Sequence, residues 1–149
     1  MGEREASRSG TDVTVEDLNA ISVGKFPAHI GFHVVSVARG RVVAEVEVQP
    51  HHLAPNGYLH AGVVVTLADT CSGYGVRTAL PDGAIGFTTI ELKSNFLGTA
   101  LEGVIRCEAT LVHGGRTTQV WDATVVSADS GRTLAMFRCT QLLLYPKPE

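Results

Sequence analysis

The chain has 149 residues, 44% of them apolar, which predicts one domain with a sizeable core. A formal charge of -3 without any Lys or Arg run, together with only 6% aromatic residues, argues against a nucleic-acid partner. No stretch is long and apolar enough for a membrane span or a signal core, and three cysteines spaced like neither a zinc site nor a redox pair point to a cytoplasmic protein.

Residues 1–12 are small and polar and read as a flexible terminus, leaving 13–149 as the folded unit. Thr14 followed by Glu16 and Asp17 is a helix start, and that helix should run to about Val23, with Pro27 closing the segment. Ile30 to Ala38 reads as a first strand, and Arg39-Gly40 as a turn. Val42, Ala44, Val46 and Val48 then alternate with Val43, Glu45 and Glu47, the period of a half-buried strand.

Ala54-Pro55-Asn56-Gly57 is turn-rich and opens into the apolar run His60 to Asp69, which has helical length. Pro81-Asp82-Gly83 stops that helix. Ile85 to Leu97 reads as a long strand. Ile105 to Leu111, Trp121 to Val125 and Leu134 to Tyr145 follow, joined by turns at His113-Gly114-Gly115 and Asp129-Ser130-Gly131, so these three form an antiparallel meander. One sheet must cover a helix that is apolar nearly all round, which predicts an α+β architecture with the sheet wrapped round a central helix.

Within that helix Asp69 is a carboxylate among apolar residues. Burial makes an unpartnered charge expensive, so Asp69 is either satisfied by a nearby hydroxyl or backbone donor, or is held for chemistry. Its neighbours Thr66 and Gly73 are small and leave room beside it for a ligand. The helix start at Ala61 and Gly62 presents unpaired N–H groups and about half a positive charge, suited to an oxyanion. His60 is either a base or a cap for the loop. His51, His52 and His60 do not have metal-ligand spacing, so no metal is assigned. Cys71-Ser72-Gly73 lies inside the helix and lacks the nucleophile-elbow pattern.

Asn56-Gly57-x-x-His60-Ala61-Gly62, the helix to Leu67-Ala68-Asp69, and Gly115-Arg116-Thr117-Thr118 together resemble the hotdog-fold acyl-CoA thioesterases of the phenylacetic acid degradation (PaaI-like) and 4-hydroxybenzoyl-CoA thioesterase group. The order of elements agrees from about Pro27 to Tyr145. The resemblance implies an acyl-CoA substrate with a small or aromatic acyl group and no cofactor. It gives Asp69 the role of base or nucleophile, and assigns the Ala61 N–H, at a position more often glycine in that group, to polarising the thioester carbonyl. It places Ala54 where the group tends to carry Asn or Gln, a role open to Asn56. Arg116 is a candidate contact to a coenzyme A phosphate, with Arg77 and Lys93 behind it. The rivals are an acyl-thioester dehydratase or hydratase using His60, and a non-enzymatic acyl-CoA-binding protein.

Eight residues separate Ala61 from Asp69, roughly 12 Å along a helix, too far for both to reach one carbonyl group. The expected protein is therefore a homodimer, or a dimer of dimers, in which each site takes Ala61 from one chain and Asp69 from the other.

Overall fold

The structure, a computed structural model, describes residues 12–149. The terminus expected at 1–12 lies outside the described residues except for Asp12. A six-stranded, wholly antiparallel sheet in the order β1-β2-β4-β5-β6-β3 wraps one long helix, α3 (Ala61–Thr78). The strands are β1 (His33–Ala38), β2 (Arg41–Glu47), β3 (Gly86–Phe96), β4 (Val104–Gly114), β5 (Thr118–Ser127) and β6 (Thr133–Leu144), and α3 touches all six. The expected meander is β4-β5-β6.

The alternation seen in the sequence decides which face meets the helix. Val42, Ala44 and Val46 of β2, Ile105, Cys107 and Ala109 of β4, and Trp121, Ala123 and Val125 of β5 are buried and join one apolar cluster with Val64, Leu67, Ala68, Cys71 and Val76 of α3. The opposite face carries ion pairs: Arg106 with Glu45 at 2.6 Å, Arg41 with Glu108 at 2.8 Å, and Arg138 with Asp122 at 2.5 Å. All three cysteines are free and buried.

The N-terminal segment departs from expectation. α1 (Val15–Ser22) is capped by Thr14 in a capping box with Asp17, as its composition predicts. Pro27, however, does not close that segment; it lies in the first turn of a short helix, α2 (Phe26–His29), where its missing N–H has no helical acceptor to lose. Gly31 follows at φ +80, which turns the chain, so β1 begins at His33 and not at Ile30. Asn19 of α1 reaches across to β1: its Oδ1 accepts from Val34 N at 2.8 Å and its Nδ2 donates to Val34 O at 3.1 Å. Those two bonds satisfy part of the β1 edge beside its bulge.

Candidate active site

The loop before α3 is built from turn chemistry. Pro50–His52 forms a short 3₁₀ turn, η1, in which His52 Nδ1 accepts from Gln49 N at 3.0 Å. His52 is buried, and desolvation together with neighbouring His51 lowers its pKa. Gly57 sits at φ +85, Asn56 Oδ1 accepts from Tyr58 N at 3.1 Å, and Ala54 N donates to Tyr58 O at 2.7 Å. Thr99, in the β3–β4 connection, accepts from Leu59 N at 3.0 Å and locks the loop to the sheet. The carbonyl of Asn56 therefore belongs to its own turn, and only its exposed amide group can reach a ligand.

His60 is the N-cap of α3: its Nδ1 accepts from Gly62 N at 2.8 Å. The Gly62 N–H is thereby engaged. The Ala61 N–H has no acceptor among the described residues, and Ala61 is exposed, so this is the donor at the helix start that a substrate oxygen can use. Thr66 turns its hydroxyl back to Gly62 O at 2.7 Å, which satisfies it within the helix.

Two turns further on, Asp69 is half-buried and faces β3 and β6. Burial raises its pKa, and a hydrogen bond from Thr89 of β3 opposes the rise: Thr89 Oγ1 lies 3.3 Å from Asp69 Oδ1. The same hydroxyl is 3.0 Å from Oε1 of Gln141 on β6. Gln141 is fully buried, with Nε2 donating to Cys139 Sγ at 3.3 Å. Thr89 and Gln141 are not among the residues the sequence singles out, although Gln141 carries a signal: it has the parity of the buried β6 residues Phe137, Cys139 and Leu143, so a polar side chain stands on an apolar face.

Gly73 is placed differently from the expectation of ligand space. It is buried, and a Cβ there would lie 3.2 Å from the Phe87 ring, so Phe87 fills the gap. Arg116 lies in the β4–β5 turn, where its backbone carbonyl accepts from the Tyr145 hydroxyl and its exposed guanidinium has no ion pair among the described residues. Arg77 is exposed in the last turn of α3, and Lys93 lines a shallow groove with Asp122 and Arg138 on the sheet face away from the helix. Among the described residues no group of three or more His, Cys, Asp or Glu side chains is placed to hold a metal ion. No helix there is long and apolar enough to cross a membrane.

A six-stranded antiparallel sheet curled round one long helix is the hotdog fold. The chain belongs to the thioesterase superfamily, whose family model matches residues 56–134, and it is a thioester hydrolase. It is 33% identical to 1,4-dihydroxy-2-naphthoyl-CoA hydrolase of Listeria monocytogenes over 74% of this chain and 89% of that one. Among solved structures, a thioesterase from Pseudomonas aeruginosa superposes with a TM-score of 0.84 at 24% identity, covering 91% of this chain and 96% of the other. The Escherichia coli PaaI protein of the phenylacetic acid degradation operon does so with a TM-score of 0.72 at 23% identity, covering 79% and 83%.

Proposed function

We propose that this thioester hydrolase acts on an acyl-CoA with a small or aromatic acyl group, at a site built from Asp69 of one chain and the Ala61 N–H of a second. The observation that carries the proposal is the state of Asp69: half-buried, with one carboxylate oxygen held by Thr89 and the other without a partner among the described residues. A desolvated carboxylate is a stronger base and nucleophile than one in water. The name of the Listeria relative, an aromatic acyl-CoA hydrolase, supports the substrate class.

Two routes fit. As base, Asp69 takes a proton from water while the water oxygen bonds to the thioester carbon; the carbonyl oxygen becomes an oxyanion facing the Ala61 N–H; the C–S bond then breaks and the coenzyme A sulfur leaves, taking up the proton. As nucleophile, Asp69 attacks the carbon directly, expels the thiolate, and leaves a mixed anhydride that water hydrolyses. Both need the carboxylate ionised, and both need the second chain, because Ala61 and Asp69 of one α3 stand roughly 12 Å apart.

The second chain has a place to dock. β3 is an edge strand of 11 residues whose outer side carries no partner among the described residues, with Ile90, Leu92 and Phe96 exposed along it. Pairing this edge with its copy satisfies the backbone and covers the apolar side chains beside Asp69. Free-thiol release from phenylacetyl-CoA and a short acyl-CoA panel tests the activity. Asp69→Asn should lower turnover by roughly 10²-fold to 10⁴-fold; full turnover in that variant would remove Asp69 from the mechanism. Hydration of a crotonyl thioester without thiol release would instead point to a hydratase.

A further inference from the structure

One hydroxyl stands between two acceptors at the heart of the site. Thr89 Oγ1 lies 3.3 Å from Asp69 Oδ1 and 3.0 Å from Gln141 Oε1, yet a hydroxyl carries a single proton. The backbone fixes this meeting, because Thr89 is opposite Gln141 in the β3–β6 register, next to the bulge at Ile90. Gln141 is itself anchored, since its Nε2 donates to Cys139 Sγ within the core. We propose that Thr89 is a positioning residue that ties down Oδ1 of Asp69, leaving Oδ2 for the reaction, and that Gln141 tunes the carboxylate by competing for the Thr89 proton. This rests on Asp69 as the reacting carboxylate and adds a control that the proposed function does not itself require.

The competition sets opposite signs for the two partners. An ionised Asp69 draws the Thr89 proton and is stabilised by it; a neutral Asp69 leaves that proton to Gln141. Loss of the Gln141 acceptor gives the proton to Asp69 alone and favours the ionised form. Loss of the Thr89 hydroxyl leaves burial unopposed and favours the neutral form. Among the described residues, no other charge facing Asp69 mimics this. From β6, the Cys139 thiol is pushed up to about 11 by burial and stays neutral. From β4, the Cys107 thiol is held well above its ordinary value by Cys71 and by burial. On β3, Glu91 accepts from the Thr140 hydroxyl on the opposite face of the sheet. On α3, Cys71 donates to Val42 O and Tyr74 pairs with the Ser22 hydroxyl.

The test uses the full chain and the isosteric change Thr89→Val, with Thr89→Ser as rescue and Gln141→Met to delete the competing acceptor. Two quantities are read: the acid limb of the turnover profile with an acyl-CoA, and the Asp69 carboxyl carbon resonance in protein labelled with 13C-aspartate, assigned by its loss in Asp69→Asn. Thr89→Val should move the titration up by roughly half a unit to one unit and lower turnover about 3-fold to 10-fold, the net worth of one long hydrogen bond to the carboxylate. Thr89→Ser should restore both, and Gln141→Met should move the titration down. Shifts of the same sign in Thr89→Val and Gln141→Met, or no shift in either, overturn the proposal. Should Gln141→Met fail to fold, identical carboxyl titrations in Thr89→Val and Thr89→Ser overturn it instead. A carboxyl titration that shifts as stated in a protein whose Asp69→Asn variant keeps full turnover upholds the positioning and rejects the proposed function.

Discussion

Asp69 is held in the fold against its own solvation. Its folded pKa is raised above the ordinary carboxylate value of 3.8, chiefly by burial, so the folded chain binds the proton more tightly than the unfolded chain does. Folding stability therefore falls as pH rises from that ordinary value to the raised one, and the whole penalty is present above the raised value. Asn in its place carries no such penalty. Asp69→Asn should accordingly melt at a higher temperature than the parent at neutral pH, with the difference shrinking as pH falls through the carboxylate range; thermal unfolding across pH 3 to 8 reads it. A variant less stable than the parent at neutral pH would mean that the carboxylate makes a net stabilising contact. The sequence signals this residue clearly, because a single acid in an apolar helix has few explanations. It gives no sign of the hydroxyl that meets Asp69, since Thr89 stands in a strand whose alternation is imperfect and which carries a bulge between Thr89 and Glu91.

At the scale of elements, α3 lies close against the sheet because glycines replace side chains where the strands approach. A Cβ on Gly75 would stand 2.4 Å from the Trp121 ring, which is fully buried. That ring cannot retreat: its Nε1 donates to Gln119 Oε1 at 2.8 Å, and Gln119 Nε2 donates to Ala79 O at the end of the same helix. Gly75→Ala gains at most about 1 kcal/mol in helix propensity, while overpacking a rigid core costs about 1 to 3 kcal/mol. The net is destabilising, by up to about 2 kcal/mol with the full propensity gain, measurable by denaturant unfolding; an unchanged midpoint would show that the helix can shift away from β5. The helix itself, its turn-rich approach and the strands of the meander were legible because their periodicities differ and their turns carry Gly, Asn and Asp. The start of β1 was not. Pro27 reads as a stop and Gly31 falls inside the expected strand from Ile30, and only the structure shows that Pro27 opens a helical turn while Gly31 delays the strand. Gly73 differs for a related reason: small residues beside Asp69 look like ligand space in the sequence, but Phe87 of β3, the next element along the chain, fills it.

At the scale of the molecule, the two sheet edges differ. β1 is covered by α1 and bonded by Asn19, whereas β3 presents 11 residues of backbone with apolar side chains and no such cover among the described residues. An edge of that length invites pairing, and β3 is also the strand that supplies Thr89 to Asp69. Spacing along one helix, readable in the sequence, and the open edge, visible only in the fold, both support the proposal that the site is shared. Ala61→Pro is a suitable probe because proline is tolerated in the first helical position, and His60, at φ -65 and ψ 130, already has the extended conformation that a following proline favours. The substitution deletes the proposed oxyanion donor and little else. The most direct measurement is to mix this variant with Asp69→Asn, allow subunits to exchange, and assay thiol release from an acyl-CoA that the parent hydrolyses. Each mixed dimer then holds one intact site and one doubly damaged site, so activity should rise from near zero to about one quarter of the parent value at equal, fully exchanged concentrations. No recovery after demonstrated exchange, or full activity in a parent chain that sediments as a monomer, would contradict a site shared between chains.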